Sequence, residues 1–426
     1  MKHIKAWVMK KIKFIFQDQF KKLMCSIVLS AMENNFNRKC VNVIVKIFNT
    51  FSLKTKFHYA GAFEQSNNAH GTVLYFTQDT LYAAKPQYYY QNSPLTEINT
   101  QGYVVLKLDA AKIIGSSNVV LTSSGEAIYD QFFHGDYNKC DYTDTSIYKY
   151  VDKRFLLKYI DSKKVIQCGL MLSGNYSGNY YHFIYEFLTK FFIIDKLDLP
   201  KNIPIIVDEI VEHISQYQEL LKYFNVEHRE IIFISDGNCY EVKKLYYLPL
   251  LNLIPPNFKN IDDIRFNDCL FHLDSITFLR NILLPKMGVT NSKKRIFLSR
   301  KNASSRRNYN EIEVVKIFEK YDFEVVYPET YTIAEQIYLF NNADFIAGVS
   351  GAAFTNILFC NPGCKILCMN SAQNELSVFS TIAKHLGLDL QYVSSHEEQY
   401  KAQCLHEEFV IDPAKIEDVL VDFIRR

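Results

Sequence analysis

Between residues 295 and 394 the chain alternates short apolar runs with amphipathic segments about ten residues long, and no other feature constrains the fold as tightly. Arg295–Ser299, Phe323–Tyr327, Asp344–Val349, Lys365–Met369 and Leu390–Ser394 read as strands; Asn310–Lys320, Ile333–Asn341, Gly351–Phe359 and Glu375–Leu386 read as helices. Strands this apolar need cover on both faces, and helical crossovers supply it, so the pattern predicts a parallel sheet built from βαβ units. A similar rhythm runs upstream: strand Val165–Leu172, helix Asn179–Leu197, strand Ile203–Asp208, helix Ser215–Phe224 and strand Ile231–Ser235. Before it, residues 70–165 hold short β-like runs such as Gly71–Phe76, Tyr103–Leu108 and Asn118–Thr122. A chain of 426 residues exceeds one core. The expected fold class is therefore α/β, with two Rossmann-like doubly wound domains after a β-rich segment. The polar stretch Asn291–Lys294 puts the boundary near 285–294. Four regions follow: a basic amphipathic head over 1–60, a first domain over 61–290, a second over 291–395, and a tail with a helix over 396–426.

The net charge of +2 conceals a basic head, since residues 1–60 hold twelve Lys and Arg against only Asp18 and Glu33. Ile4, Trp7, Val8, Ile12, Ile15, Phe16 and Phe20 recur near helical spacing among these lysines. A helix lying in an anionic membrane interface and an amphipathic helix docked on the body both fit this pattern. Nucleic acid is not an expected partner, because no base-reading module follows. The uncharged run Leu23–Met32 is ten residues long, half of what a membrane span needs, and it lacks a signal-peptide cleavage site. The ten cysteines are scattered. Cys360, Cys364 and Cys368 have a metal-like rhythm but no His or fourth Cys at zinc-ligand spacing, so they read as buried thiols in a reducing, cytoplasmic compartment.

In doubly wound sheets ligands bind outside the carboxyl ends of the strands, and three segments of the second domain fall there. Arg300, Lys301, Arg306 and Arg307 cluster directly after a strand, as a diphosphate clamp or as a solvated basic turn. In Gly348–Asn356 a strand turns into a helix through small residues. Ser350, Gly351, Ala352, Thr355 and Asn356 could meet a phosphate at the helix start, or simply form a tight turn. The segment is not a G-x-G-x-x-G fingerprint. Glu329, after the next strand, could bind ribose hydroxyls or stand in a plain turn. In the first domain His182, Glu186 and Lys190 are spaced four apart on one helix face. A His paired with Glu one turn on suits proton abstraction from a sugar hydroxyl; the ordinary alternative is a solvated polar face.

Together these blocks resemble a family. Arg295–Asn310 (RIFLSRKNASSRRNYN), Phe323–Glu329 (FEVVYPE), Gly348–Phe359 (GVSGAAFTNILF) and Asn361–Gly363 are similar to the signature blocks of glycosyltransferase family sixty-one. Asn179–Leu188 (NYYHFIYEFL) resembles that family's upstream helix and Ile113–Asp130 its β-rich lead-in, so the resemblance covers residues 100–395. It implies a GT-B fold with a cleft between two domains, the first serving the acceptor and the second binding the nucleotide sugar. It further implies inverting transfer from a nucleotide-sugar donor, usually UDP-linked, with no required metal or other cofactor. The implied acceptor is a glycan or lipid-linked glycan in surface polysaccharide synthesis, made in the cytoplasm or at the inner face of the plasma membrane. His182 would be the base, with Glu186 orienting or replacing it. One departure stands out: the family commonly has His before the Gly-Ala pair, and this chain has Ser350. Two alternatives therefore remain, a non-catalytic nucleotide-sugar-binding module and a GT-B-shaped epimerase or hydrolase.

Overall fold

The computed structural model describes residues 22–23, 26–32, 38–51, 55–61, 71–77, 80–88, 93–99, 102–129, 139–151, 154–255, 258–284, 294–302, 308–395 and 408–426. It is a mixed α/β, Rossmann-like protein with two main sheets. The second sheet is the one its sequence predicts. Its five strands are all parallel, in spatial order Phe323–Val326, Lys294–Leu298, Ala343–Val349, Lys365–Asn370, Asp389–Ser394. The order reverses between Lys294–Leu298 and Ala343–Val349, which makes that pair the topological switch point. Gly348 sits opposite Leu298 in the register, and a Cβ there would lie 3.0 Å from the Leu298 side chain and carbonyl. Any larger residue would push the two strands apart by a few tenths of an ångström at this point.

The first sheet departs from expectation. Its ten strands are mixed, and only three pairings are parallel: Ile205–Asp208 with Ile231–Ile234, and Arg154–Met171 with Ile205–Asp208 and with Asn238–Tyr247. The βαβ rhythm is thus confined to residues 165–234. Beyond it Asn238–Tyr247 returns into the middle of the sheet, antiparallel to Tyr103–Ile114. The connection into that strand turns at Gly237, whose φ of +66° is left-handed and favours glycine. A doubly wound first domain is therefore corrected to a mixed sheet, because its central strand Arg154–Met171 also takes antiparallel neighbours, Thr55–Gly61 and Ile147–Val151.

The end of the chain is no detached tail. Helix Pro413–Arg425 buries Ile416, Leu420 and Phe423 with Phe409 and Ile411 against Phe297, Phe345 and Leu367 of the second sheet. Near the start, helix Arg38–Phe51 and residues 26–32 dock through Val28, Met32, Val41 and Val45 onto Leu156. Residues 1–21, with Trp7 and six of the basic head's twelve Lys and Arg, lie outside the described residues. No helix of the described residues is long and apolar enough to cross a membrane.

The two sheets share one core. Phe183, Phe187 and Leu283 from the first half pack in a single cluster with Ile296, Phe340, Phe354 and Leu358 from the second. Polar contacts pin the joint: the Tyr185 hydroxyl donates to the Thr355 carbonyl (2.9 Å) and the Tyr180 hydroxyl to Asn356 Oδ1 (2.7 Å). Glu219 of the first half accepts the free N–H groups of Ile333 (3.1 Å) and Ala334 (3.2 Å), so it caps helix Ile333–Asn341 from across the joint. Residues 81–88 form a strap over the second half. Ala84 N donates to Thr381 Oγ1 (2.9 Å), Ser380 Oγ to the Ala84 carbonyl (2.6 Å) and Tyr392 N to the Gln87 carbonyl (2.8 Å).

Candidate active site

A cavity of about 160 Å³ opens where the two halves meet. One wall is a helix of the first half, and its local geometry is unusual. Asn179 accepts from Tyr181 N (3.0 Å) and starts the helix. After one α-turn, Tyr180–His182, the backbone widens into a π-helix over Phe183–Leu188 and then resumes as α over Lys190–Lys196. Such π-turns concentrate at functional sites. Here the widened turn buries Glu186, 1% exposed, beneath His182. His182 Nδ1 lies 2.9 Å from Glu186 Oε2, a close contact rather than an aligned hydrogen bond.

The loop before this helix supports the imidazole from the other side. Tyr176 stacks on His182 with ring centroids 5.2 Å apart, and its backbone is left-handed (φ +62°), a strained state for a bulky residue. Asp208 pins the loop, accepting from Gly174 N (2.9 Å) and Ser116 N (2.6 Å), while Asn118 Oδ1 accepts from Asn175 N (2.9 Å). Burial pushes the Asp208 carboxyl up to about 6, outweighing the hydrogen bonds from Gly174, Ser116 and Ser177 that lower it.

The opposite wall is backbone turns of the second half. Val349, Ser350, Gly351 and Ala352 line it at the carboxyl end of the switch-point strand, with Ser350 N donating to the Met369 carbonyl (2.9 Å). Arg300, two residues past the end of the partner strand, lies directly over Gly351: a Cβ on that glycine would come within 2.3 Å of the guanidinium. Its backbone N–H is fixed by Glu311 (3.1 and 3.2 Å), and burial lowers its pKa.

The predicted site residues thus divide. His182 and Glu186 are in contact; Ser350, Gly351 and Ala352 line the same cavity as His182; Arg300 backs Gly351. Lys301 and Glu329 are exposed and outside the lining. Thr355 and Asn356 are fully buried in the joint, where Asn356 also donates to Gln336 Oε1 (2.7 Å). They lie within Ala352–Phe359, a 3₁₀-helix where an α-helix is predicted. Arg306 and Arg307 lie outside the described residues. Cys360, Cys364 and Cys368 are buried thiols. Asn370, Ser371 and Asn374 line the cavity and are absent from the sequence reading. Their signal was present: a run of small polar residues at the carboxyl end of a predicted strand. Phe409 also lines the cavity, and nothing in its local sequence points there.

The protein is a glycosyltransferase: residues 180–367 match a glycosyltransferase family model that takes in both cavity walls, from the His182 helix through the Ser350 turn. The model is that of Glycosyltransferase 61, and it supports family 61 for this stretch of the chain. No curated protein matches the chain.

Proposed function

We propose that the protein transfers a sugar with inversion from a nucleotide sugar, UDP-linked, to a hydroxyl of a glycan or lipid-linked glycan, in a GT-B-type cleft and without a metal. The observation that carries this is the Glu186-held His182 facing the Ser350–Ala352 turn across one cavity. His182 takes the acceptor O–H proton as the acceptor oxygen bonds the anomeric carbon from the face opposite the diphosphate. The bond from that carbon to the diphosphate oxygen breaks, and its electron pair leaves with UDP. Arg300 over Gly351 and the backbone N–H groups of the turn oppose that developing charge. Ser350, where the family commonly has His, supplies no charge, and this favours a second reading as a nucleotide-sugar-binding module. One assay separates the two: radiolabelled UDP-sugars incubated with glycan acceptors, with and without EDTA. Transfer that survives EDTA is the expected result. Binding without transfer or hydrolysis favours the module, and activity lost to EDTA and restored by manganese removes the metal-free mechanism.

We also propose a peripheral place on an anionic membrane face, reached by the basic head. Leu23 and Ile27 point outward while Val28 and Met32 dock on the body. Salt-sensitive binding to anionic vesicles, lost on deleting residues 1–33, is the expected outcome; equal binding to neutral vesicles would remove the proposal.

A further inference from the structure

Three tyrosines stand on the cavity-wall helix, and their hydroxyls have different fates. Those of Tyr180 and Tyr185 donate across the joint, to Asn356 Oδ1 and the Thr355 carbonyl. That of Tyr181 has no hydrogen-bond partner among the described residues, although the residue is only 5% exposed and lines the cavity beside His182. The ring cannot swing out to find one. It is wedged edge-on against His182 (centroids 5.3 Å apart) and Phe379 (6.2 Å), and tilted against Tyr185 (5.0 Å). Phenylalanine would fill the same space, so packing does not explain the oxygen. A buried polar group without a partner destabilises a fold, and such groups persist where function uses them. One turn on, Glu186 Oε1 is also buried without a partner.

We propose that the Tyr181 hydroxyl is a specificity-determining contact, donating a hydrogen bond to a ring hydroxyl of the sugar carried by the donor. Tyr181 stands on the wall facing the Ser350–Ala352 turn, where the preceding reading puts the diphosphate, so the inference rests on that reading. Burial first, and the nearby Glu186 carboxylate second, raise the phenol pKa, which keeps the group a donor throughout the working range. A hydroxyl-reading group in a dry site discriminates between sugars that present the hydroxyl and sugars that lack or invert it.

The test compares wild type with Tyr181→Phe by calorimetric titration of UDP, UDP-glucose, UDP-galactose, UDP-xylose and UDP-N-acetylglucosamine. UDP should bind both proteins equally. The spread of affinities among the four sugars should narrow by about tenfold in the variant, the worth of one lost hydrogen bond. The ligand-free variant should melt no lower than wild type, and about 1–2 °C higher if removing the orphan hydroxyl relieves the fold fully. An unchanged spread, an equal loss of UDP affinity, or a lower melting temperature would each overturn the assignment. The parent reading fails separately: wild type that binds none of the five nucleotides ends both, whereas nucleotide binding with an unaltered spread ends this inference alone.

Discussion

The two walls of the cavity are built from opposite materials. The first-half wall offers the side chains Asn179, Tyr181 and His182 on a helix widened by a π-turn; the second half offers the small-residue turn Val349–Ala352 that ends a parallel strand, beside larger side chains such as Asn370, Phe379 and Tyr392. A wall of side chains can exchange protons and read hydroxyls. A wall of N–H groups and small residues can only approach closely and hold charge. In the proposed function reaction falls to the first of these and affinity to the second, and substitutions can break that division.

The largest effect belongs to the side-chain wall. His182→Ala should lower turnover by about 10²–10⁴ and leave UDP affinity nearly intact. Steady-state kinetics beside UDP titration reads both quantities. Were Glu186→Gln to abolish turnover while His182→Ala did not, the carboxylate would be the base; full turnover in both variants would make the helix structural. On the backbone wall the pattern inverts. Arg300→Ala should weaken UDP binding by about 1.5–3 kcal/mol, the range of a charge-assisted contact. Gly351→Ala should weaken it too, since a Cβ there displaces the guanidinium. Unchanged affinity in both would take this turn out of the donor site.

A smaller effect tests the joint. Tyr180→Phe strips Asn356 Oδ1 of its donor and should lower stability by about 1–3 kcal/mol in a denaturant melt. Tyr181→Phe on the same helix should not, so equal melts for the two variants would erase the contrast between them. The smallest effect concerns pH and the first half alone. Burial pushes the Asp144 carboxyl up from 3.8 to about 6 against hydrogen bonds from Ile147 and Ser146. Its folded pKa is thus raised above the unfolded one, so its contribution is full below about pH 3.8 and lost as pH rises through 6. Asp144→Asn keeps the acceptor oxygen and removes the titration. The fall in stability from pH 4 to pH 7 should then be shallower in the variant, by about 1–2 kcal/mol. Parallel pH curves would show that this carboxyl titrates normally.

The same division decides what the sequence could reveal. Every strand of the second sheet is an apolar run flanked by an amphipathic helix, so order and period announce it. The first sheet hides because its strands are half wet: Arg154–Met171 passes through Lys158, Asp161, Lys163 and Lys164, and Asn238–Tyr247 through Glu241, Lys243 and Lys244. Such runs look like loops until a partner strand gives them register. At the site, the spacing of His182 and Glu186 was visible, whereas the π-turn that buries the carboxylate depends on tertiary packing. Thr355 and Asn356 have the chemistry of phosphate ligands, but burial, which local sequence does not encode, gives them to the joint. Tyr181 looks like any aromatic on a core-facing helix; only its neighbours' pairing marks its hydroxyl out.

The strap over residues 81–88 also sets a timetable. Ala84 and Thr381 are 297 positions apart, so the strap's grip on the second half waits until nearly the whole chain has been synthesised. At the usual pace of translation that is a delay of about 15–60 s, during which Leu81 and Tyr88, buried in the finished protein, lack their cover. The loop lining the cavity through Asn370 and Asn374 is among the last parts to be fixed, because the Tyr88 hydroxyl accepts from Asn370 Nδ2 (3.0 Å) and Asn374 N (3.2 Å). A nascent chain stalled or truncated before residue 370 would carry His182 and the Ser350 turn yet lack the floor between them, and it would present the strap's apolar face to chaperones instead.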